Sequence, residues 1–116
     1  MSCALLLVED HELSRRALAT VLRARGHAVH EAATGEGGMK LLSQQSFTVV
    51  IADLRLPGLV NGLDVLRQQN ERSPGAKLLL LTAFGSDEVR RQTENIGAVY
   101  IEKPISLDEV LSIVGP

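Results

Sequence analysis

The sequence predicts a doubly wound α/β fold, in which a five-stranded parallel sheet is covered by helices on both faces. Two observations predict it. Five short runs are apolar almost throughout, as is typical of strands buried on both faces of a parallel sheet. Segments with apolar residues at helical spacing follow each run, so strands and helices alternate strictly. The strands are predicted at residues 5–9, 27–32, 47–53, 77–82 and 98–102.

The first two helices are predicted from apolar spacing and from their ends. Apolar residues between Leu13 and Leu22 recur at helical spacing, with arginines opposite. Gly26 marks the end of this helix, since glycine is favoured just past a helix C-terminus. The second helix is predicted to run from Thr34, its N-cap, to Gln44, although three glycines weaken its start.

Capping residues predict the third and fourth helices. Asn61 or Asp64 can cap the third helix, which ends at the Pro74-Gly75 turn. Ser86 begins the fourth helix, and the two acids after it are favourable at a helix N-terminus. Because this helix has few apolar residues, we expect it to be the least firmly docked of the five.

The fifth helix is predicted to open with a capping box, in which Ser106 and Glu109 bond each other's backbone amides. Ile105 and Val110 stand at the two positions of a hydrophobic staple around this start. The helix runs to the end of the chain. We therefore expect one domain over residues 1–116, with no output domain present.

The order of the strands brings three acids together. Right-handed crossovers leave few topologies, and the flavodoxin-like order 2-1-3-4-5 is predicted, with strands one and three side by side. Glu9 and Asp10 close the first strand and Asp53 closes the third, so they should meet at the carboxyl edge of the sheet. Carboxylates about 4 Å apart repel by roughly 4 kcal/mol at an effective dielectric of about 20. The cluster therefore calls for a cation.

Composition excludes several classes of function. A net charge of −2 supplies no basic field, so no direct nucleic-acid binding is expected. No apolar run reaches the roughly 18 residues of a membrane span, and the N-terminus does not resemble a signal peptide. Cys3 is the single cysteine, so the protein is expected in the cytoplasm. The histidines are too scattered for a metal site and are expected at the surface or its boundary: His11, His27 and His30.

Five separated features, in register with the five strand-helix units, resemble the receiver domain of bacterial two-component response regulators. The resemblance covers essentially the whole chain and implies a phosphorylation-controlled signalling switch rather than an enzyme. The matching residues are Glu9-Asp10, Asp53 with Pro57 four residues later, Thr82-Ala83, Tyr100 and Lys103-Pro104.

The resemblance implies a phosphorylation site with Mg²⁺ as its cofactor. Asp53 would accept a phosphoryl group from a histidine of a sensor kinase, or from a small acyl phosphate. Asp10 and Asp53 would bind the metal directly, and Glu9 directly or through water. Arg55 would contribute its backbone carbonyl. Such oxygen ligands are those that Mg²⁺ prefers.

The resemblance also implies the catalytic and switch residues. Lys103 would offset negative charge at Asp53, and a cis Lys103-Pro104 bond would orient it. Thr82 would donate its hydroxyl to a phosphoryl oxygen. It would then vacate space for the Tyr100 ring, which changes the face formed by helix four, strand five and helix five. A homodimer through that face and an output domain outside this chain are left open.

One feature departs from the usual receiver pattern, and another indicates a subgroup of receivers. Four residues separate Pro57 from Gly62, one more than receivers usually have, and Gly58 is expected to absorb the extra residue. The run from Thr82 to Ser86 resembles receivers coupled to transcription activators, which points to transcriptional control.

Two other functional classes are compatible with the fold. A flavodoxin-like redox protein is disfavoured, because the acidic crevice and the lack of tryptophan do not suit an anionic flavin phosphate. A hydrolase with an aspartyl nucleophile would need a second acid two residues after that nucleophile. Arg55 occupies that position, so sustained hydrolysis is disfavoured.

Overall fold

The structure, a computed structural model, describes residues 4–115. Their five strands form one parallel sheet in the order β2-β1-β3-β4-β5, which confirms the predicted fold and strand order. Cys3 lies outside the described residues. The strands are β1 (Ala4–Val8), β2 (Ala28–Ala32), β3 (Val49–Asp53), β4 (Lys77–Thr82) and β5 (Val99–Glu102).

Helices cover both faces of this sheet. They are α1 (Glu12–Ala24), α2 (Gly35–Gln44), α3 (Gly62–Arg72), α4 (Asp87–Asn95) and α5 (Leu107–Val114). Buried residues of α1 and α5 pack on one face, and those of α2 and α3 pack on the other, where α4 also lies. Among the described residues, no helix is long and apolar enough to cross a membrane.

The central strands supply both cores because successive side chains point to opposite faces. Leu5 and Leu7 of β1 join the core beneath α1 and α5, whereas Leu6 and Val8 join the core beneath α2 and α3. The strands β3 and β4 follow the same alternation. Each fully buried aliphatic side chain contributes roughly 1.5–3 kcal/mol. The middle of the sheet is therefore its most stable part.

The outer strands are less buried than the sequence pattern predicts. Ala28 of β2 and Val99 of β5 are exposed, because each lies on a strand with a neighbour on one side only. The prediction that all five strands are buried on both faces is wrong for these two. The expectation that His27 lies at the surface or its boundary is also wrong, since it is buried at 4% exposure just before β2.

Side-chain caps begin all five helices. Thr34, Ser86 and Ser106 cap α2, α4 and α5 as predicted, and His11 caps α1. The full capping box occurs at α3, between Asn61 and Asp64. At α5 the Ser106 hydroxyl accepts from the Glu109 amide at 3.3 Å, which is one half of the box predicted there.

Candidate functional site: the acidic crevice

The three acids meet at the carboxyl edge of β1 and β3. Val8 pairs with Ala52 in adjacent parallel strands, so the residues that follow leave the sheet at the same level. Glu9, Asp10 and Asp53 each offer a carboxylate oxygen within 4.8 Å of the others. Glu9 and Asp53 are buried, whereas Asp10 is exposed. The crevice therefore has an inner acidic pair and an outer acid that faces solvent.

Lys103 bridges the inner pair. Its ammonium Nζ donates to Glu9 Oε1 at 2.8 Å and to Asp53 Oδ2 at 3.0 Å. The lysine follows β5, and its backbone amide donates to the Thr82 carbonyl at 2.8 Å. The bond between Lys103 and Pro104 is cis, as predicted. One cation thus lies between two carboxylates that come from strands at the centre of the sheet.

The inner pair differs in proton affinity. Burial raises the pKa of Asp53 to about 6, and the neighbouring Glu9 acts in the same direction, against Lys103. Burial also raises the pKa of Glu9, but hydrogen bonds from Lys103 and Asp53 outweigh it, so the net pKa is lowered. Burial lowers the pKa of Lys103, yet both carboxylates together raise it. The negative charge of this site therefore exceeds what one ammonium compensates.

These residues fit a hard divalent cation. Carboxylate oxygens are the ligands that Mg²⁺ binds, usually one or two of them with waters and a phosphate. The raised pKa of Asp53 indicates a site that would gain from more positive charge. Asp10 is exposed, so the outer side of the cluster is open to solvent.

Arg55 lies two residues beyond Asp53, in the loop that leads to α3. Its guanidinium stacks over the Phe84 ring, 4.3 Å from the ring centroid. No ion pair joins Arg55 to an acid within residues 4–115. The arginine therefore links the loop after β3 to the loop after β4.

The two predicted switch residues lie on neighbouring strands. The Thr82 hydroxyl oxygen accepts from the Phe84 amide at 2.9 Å, which leaves its proton free to be donated elsewhere. Tyr100 packs partly against the core, with the Arg90 guanidinium 4.4 Å from the centre of its ring. The Tyr100 hydroxyl occupies the position that a Cβ on Gly85 would take. Gly85 thus forms a notch that accommodates this ring.

The sequence analysis missed several residues that shape the crevice. A Cβ on Gly62 would overlap the carbonyl oxygen of Asp53, so only glycine allows α3 to begin there. Arg15 donates to the Glu9 carbonyl at 3.0 Å and to Glu31 Oε1 at 3.0 Å. Both residues carry local signals, a glycine in the first turn of a helix for Gly62 and a polar helix face for Arg15, but neither signal identifies the contact that the residue makes.

Comparison with known proteins decides the family. The family model for the response regulator receiver domain matches residues 5–115. The chain belongs to this family. The receiver domain is therefore a module of two-component response regulators, a family of phosphorylation-controlled switches, which confirms the function that the resemblance implied.

Relatives and solved structures agree with this assignment. Transcriptional regulatory protein AfsQ1 of Streptomyces coelicolor is 38% identical over 103 residues, which cover 88% of this chain and 45% of that protein. The receiver domain thus spans about half the length of this curated relative. A receiver domain protein from Methanospirillum hungatei is 26% identical, with a TM-score of 0.91 over 98% of this chain and 91% of that chain.

A second solved structure is also similar in fold. It is a response regulator protein from Burkholderia pseudomallei with a phosphorylated aspartic acid, a calcium ion and citrate. Its identity to the receiver domain is 28%, and its TM-score is 0.86. The match covers 97% of this chain and 66% of that chain.

Proposed function

We propose that Asp53 is the phosphoacceptor of this receiver domain. The observation that supports it most is the contact of Asp53 Oδ2 with the Lys103 ammonium at 3.0 Å, beside two further acids. Asp53 stands at the end of a central strand and pairs with Leu81 of β4. Such a carboxylate is fixed in position while its outer side stays open to a donor.

The proposed reaction is transfer of a phosphoryl group to the Asp53 carboxylate. A carboxylate oxygen attacks phosphorus, the bond from phosphorus to the donor nitrogen or oxygen breaks, and the donor leaves with that electron pair. The attack requires ionised Asp53. The Lys103 ammonium lies within reach of the negative charge that gathers on the phosphoryl oxygens.

Magnesium is the proposed cofactor. When bound, Mg²⁺ would neutralise the acids and the incoming phosphoryl oxygens, so that two anions can approach. We propose Glu9, Asp10 and Asp53 as side-chain ligands, Glu9 directly or through water, and the backbone carbonyl of Arg55 as a further ligand. The carboxylate spacing supports the first three, since their oxygens lie within 4.8 Å of one another.

The proposed donor is a phosphohistidine of a sensor histidine kinase, with small acyl phosphates as substitutes. A cleft of about 320 Å³ opens beside Lys103, between α1 and the turn into α5. Apolar residues that line it include Leu18, Pro104 and Ile105. This cleft supports the proposal because it offers a partner an apolar contact next to the acceptor.

The proposed output is a change of the α4–β5–α5 face. Upon phosphorylation, Thr82 would move toward the phosphoryl group and donate its hydroxyl proton to a phosphoryl oxygen. The Tyr100 ring would then turn into the space that Thr82 vacates. The low burial of α4 supports a change there, as Thr93 is its one buried residue. A homodimer through this face, or an output domain outside this chain, would use the new surface for transcriptional control.

We propose a signalling module rather than a hydrolase. An aspartyl hydrolase would need a proton donor two residues after Asp53, and Arg55 there stacks on Phe84. The net charge of −2 supports a protein partner rather than direct nucleic-acid contact. A cytoplasmic location and a single domain are part of the same proposal.

The test is phosphorylation of the purified chain by acetyl phosphate. Intact-mass spectrometry should detect one added phosphoryl group on wild type with Mg²⁺ and none with a chelator. Asp53→Asn should remain unmodified, whereas the control Asp108→Asn, which changes an exposed acid of α5, should behave like wild type. Equal modification of Asp53→Asn and wild type would overturn the assignment.

A further inference from the structure

The loop between Asp53 and α3, residues 54–61, is hydrogen-bonded to the helix α2 through the Glu36 side chain. Glu36 belongs to the first turn of α2, and its Oε2 accepts from the backbone amide of Leu59 at 3.0 Å. This amide and that of Val60 lower the pKa of the Glu36 carboxyl. The bond therefore joins an ionised group to the middle of the loop.

Glycine makes this approach possible on both sides. Gly58 adopts a φ of +90°, and a Cβ there would lie 2.7 and 2.8 Å from the two Glu36 carboxylate oxygens. A Cβ on Gly35 would overlap the carbonyl oxygen of Val60. Two glycines thus allow the loop to lie directly on the start of α2, at the position where the extra residue was expected.

Backbone hydrogen bonds hold the ends of the loop rather than its middle. The amide of Leu54 donates to the Leu81 carbonyl at 2.8 Å, and the amide of Gly62 donates to the Leu54 carbonyl at 3.0 Å. Asn61 belongs to the capping box of α3. Leu59 is 96% exposed, so packing does not hold it. Leu56 and Val60 pack partly against the core on either side of this exposed tip. Glu36 is therefore the polar anchor of the tip itself, at Gly58 and Leu59.

We propose that Glu36 is a positioning residue for the phosphorylation site. By holding Gly58 to Val60 on α2, it limits the conformations of the loop that carries Arg55. That residue supplies both the proposed carbonyl ligand and the stack on Phe84. The inference rests on the proposed function of Asp53 and adds a residue from a different helix to it.

The mechanism is a reduction of loop freedom. An unrestrained loop would have to be ordered when the metal binds, and that ordering entropy would weaken binding. A charge-assisted bond between Glu36 and Leu59 orders the loop beforehand. Partners behind metal ligands commonly change metal affinity by about 10–100-fold. Since Glu36 acts through the backbone, we expect an effect near the lower end of this range.

The test compares Glu36→Ala, Glu36→Gln and the matched control Asp108→Ala. Asp108 is likewise an acid in the first turn of a helix, so the control reproduces the loss of helix-terminus charge without a loop contact. Hydrogen exchange without metal measures the hydrogen bond between the Leu59 amide and Glu36 directly. In Glu36→Ala the Leu59 amide should exchange about tenfold faster, as expected for loss of one charge-assisted bond.

The affinity for Mg²⁺ shows whether the loss of loop order weakens metal binding. By calorimetry, Mg²⁺ should bind Glu36→Ala about tenfold more weakly than wild type. Glu36→Gln keeps an acceptor oxygen and should recover most of the affinity, and Asp108→Ala should match wild type. If wild type itself binds no Mg²⁺, the proposed function fails. If wild type binds and Glu36→Ala binds equally well, or if Leu59 exchange is unchanged, the role of Glu36 is overturned.

Discussion

The acidic crevice and the α4–β5 edge lie side by side but are built differently. The helix α3, which begins beside Asp53, buries five residues, whereas α4 buries Thr93 alone. The strand β3 is buried along its whole length, whereas two residues of β5 are exposed and one is half-buried. The crevice is therefore held firmly by packing, and the neighbouring edge is held weakly.

The ionic contacts follow the same division. In the crevice, Lys103 contacts two buried carboxylates. At the edge, Arg90 pairs with Glu102 at 3.5 Å, and both side chains are about half-exposed. The proposed phosphotransfer, which depends on fixed distances, thus lies on the firmly packed part of the sheet. The face proposed to change lies where little packing opposes a change.

The largest expected effect comes from removing the crevice cation. Lys103→Ala would leave Glu9 and Asp53 buried without a counter-charge, which should lower the free energy of unfolding by about 3 kcal/mol at pH 7. Arg90→Ala removes an exposed pair and should cost less than about 1 kcal/mol. Urea denaturation of both variants measures the contrast. Equal costs would contradict the proposed difference between the two regions.

The pH dependence of stability tests the electrostatics of the crevice. The pKa of Asp53 is about 6 in the folded protein against 3.8 ordinarily, so between these values the folded state binds more protons. Stability should then fall as pH rises from about 4 to about 6, by about 2 kcal/mol, and stay level above. The lowered pKa of Glu9 acts in the opposite sense but below about pH 4.5.

Asp53→Asn isolates this contribution. The variant should lack the fall between pH 4 and 6 and be more stable than wild type at pH 7 without metal. Urea denaturation at pH 4.5 and pH 7 would measure both proteins. A variant that is less stable than wild type at pH 7 would show that the Asp53 charge is already compensated by Lys103.

A smaller effect than those in the crevice is expected at the notch between the two regions. Gly85→Ala should displace the Tyr100 ring and cost about 1 kcal/mol, since the half-exposed ring can move outward. Tyr100 is the single tyrosine and tryptophan is absent, so tyrosine fluorescence reports this ring directly. In a Tyr100→Ala background the same substitution should cost nothing. If Gly85→Ala still lowers stability in the Tyr100→Ala background, glycine is required there for the backbone and not for the contact with the Tyr100 ring.

Most of the fold could be predicted from local signals in the sequence. The central strands, the N-caps Thr34, Ser86 and Ser106, and the weak anchoring of α4 all follow from residues close in sequence. The edge strands could not be distinguished from central ones, because an apolar run does not report how many neighbours it has. His27 was misjudged for the same reason, since its burial depends on what packs over it.

The sequence by itself determined which groups reach the carboxyl edge of the sheet. A strict alternation of strands and helices, with acids after β1 and β3, leaves few arrangements in which those acids are apart. Only the tertiary structure decided how they interact. Lys103 lies 94 residues from Glu9 and 50 from Asp53, and Glu36 lies 23 from Leu59. Distances and pKa shifts at such separations depend on packing of the whole domain, which no local pattern encodes.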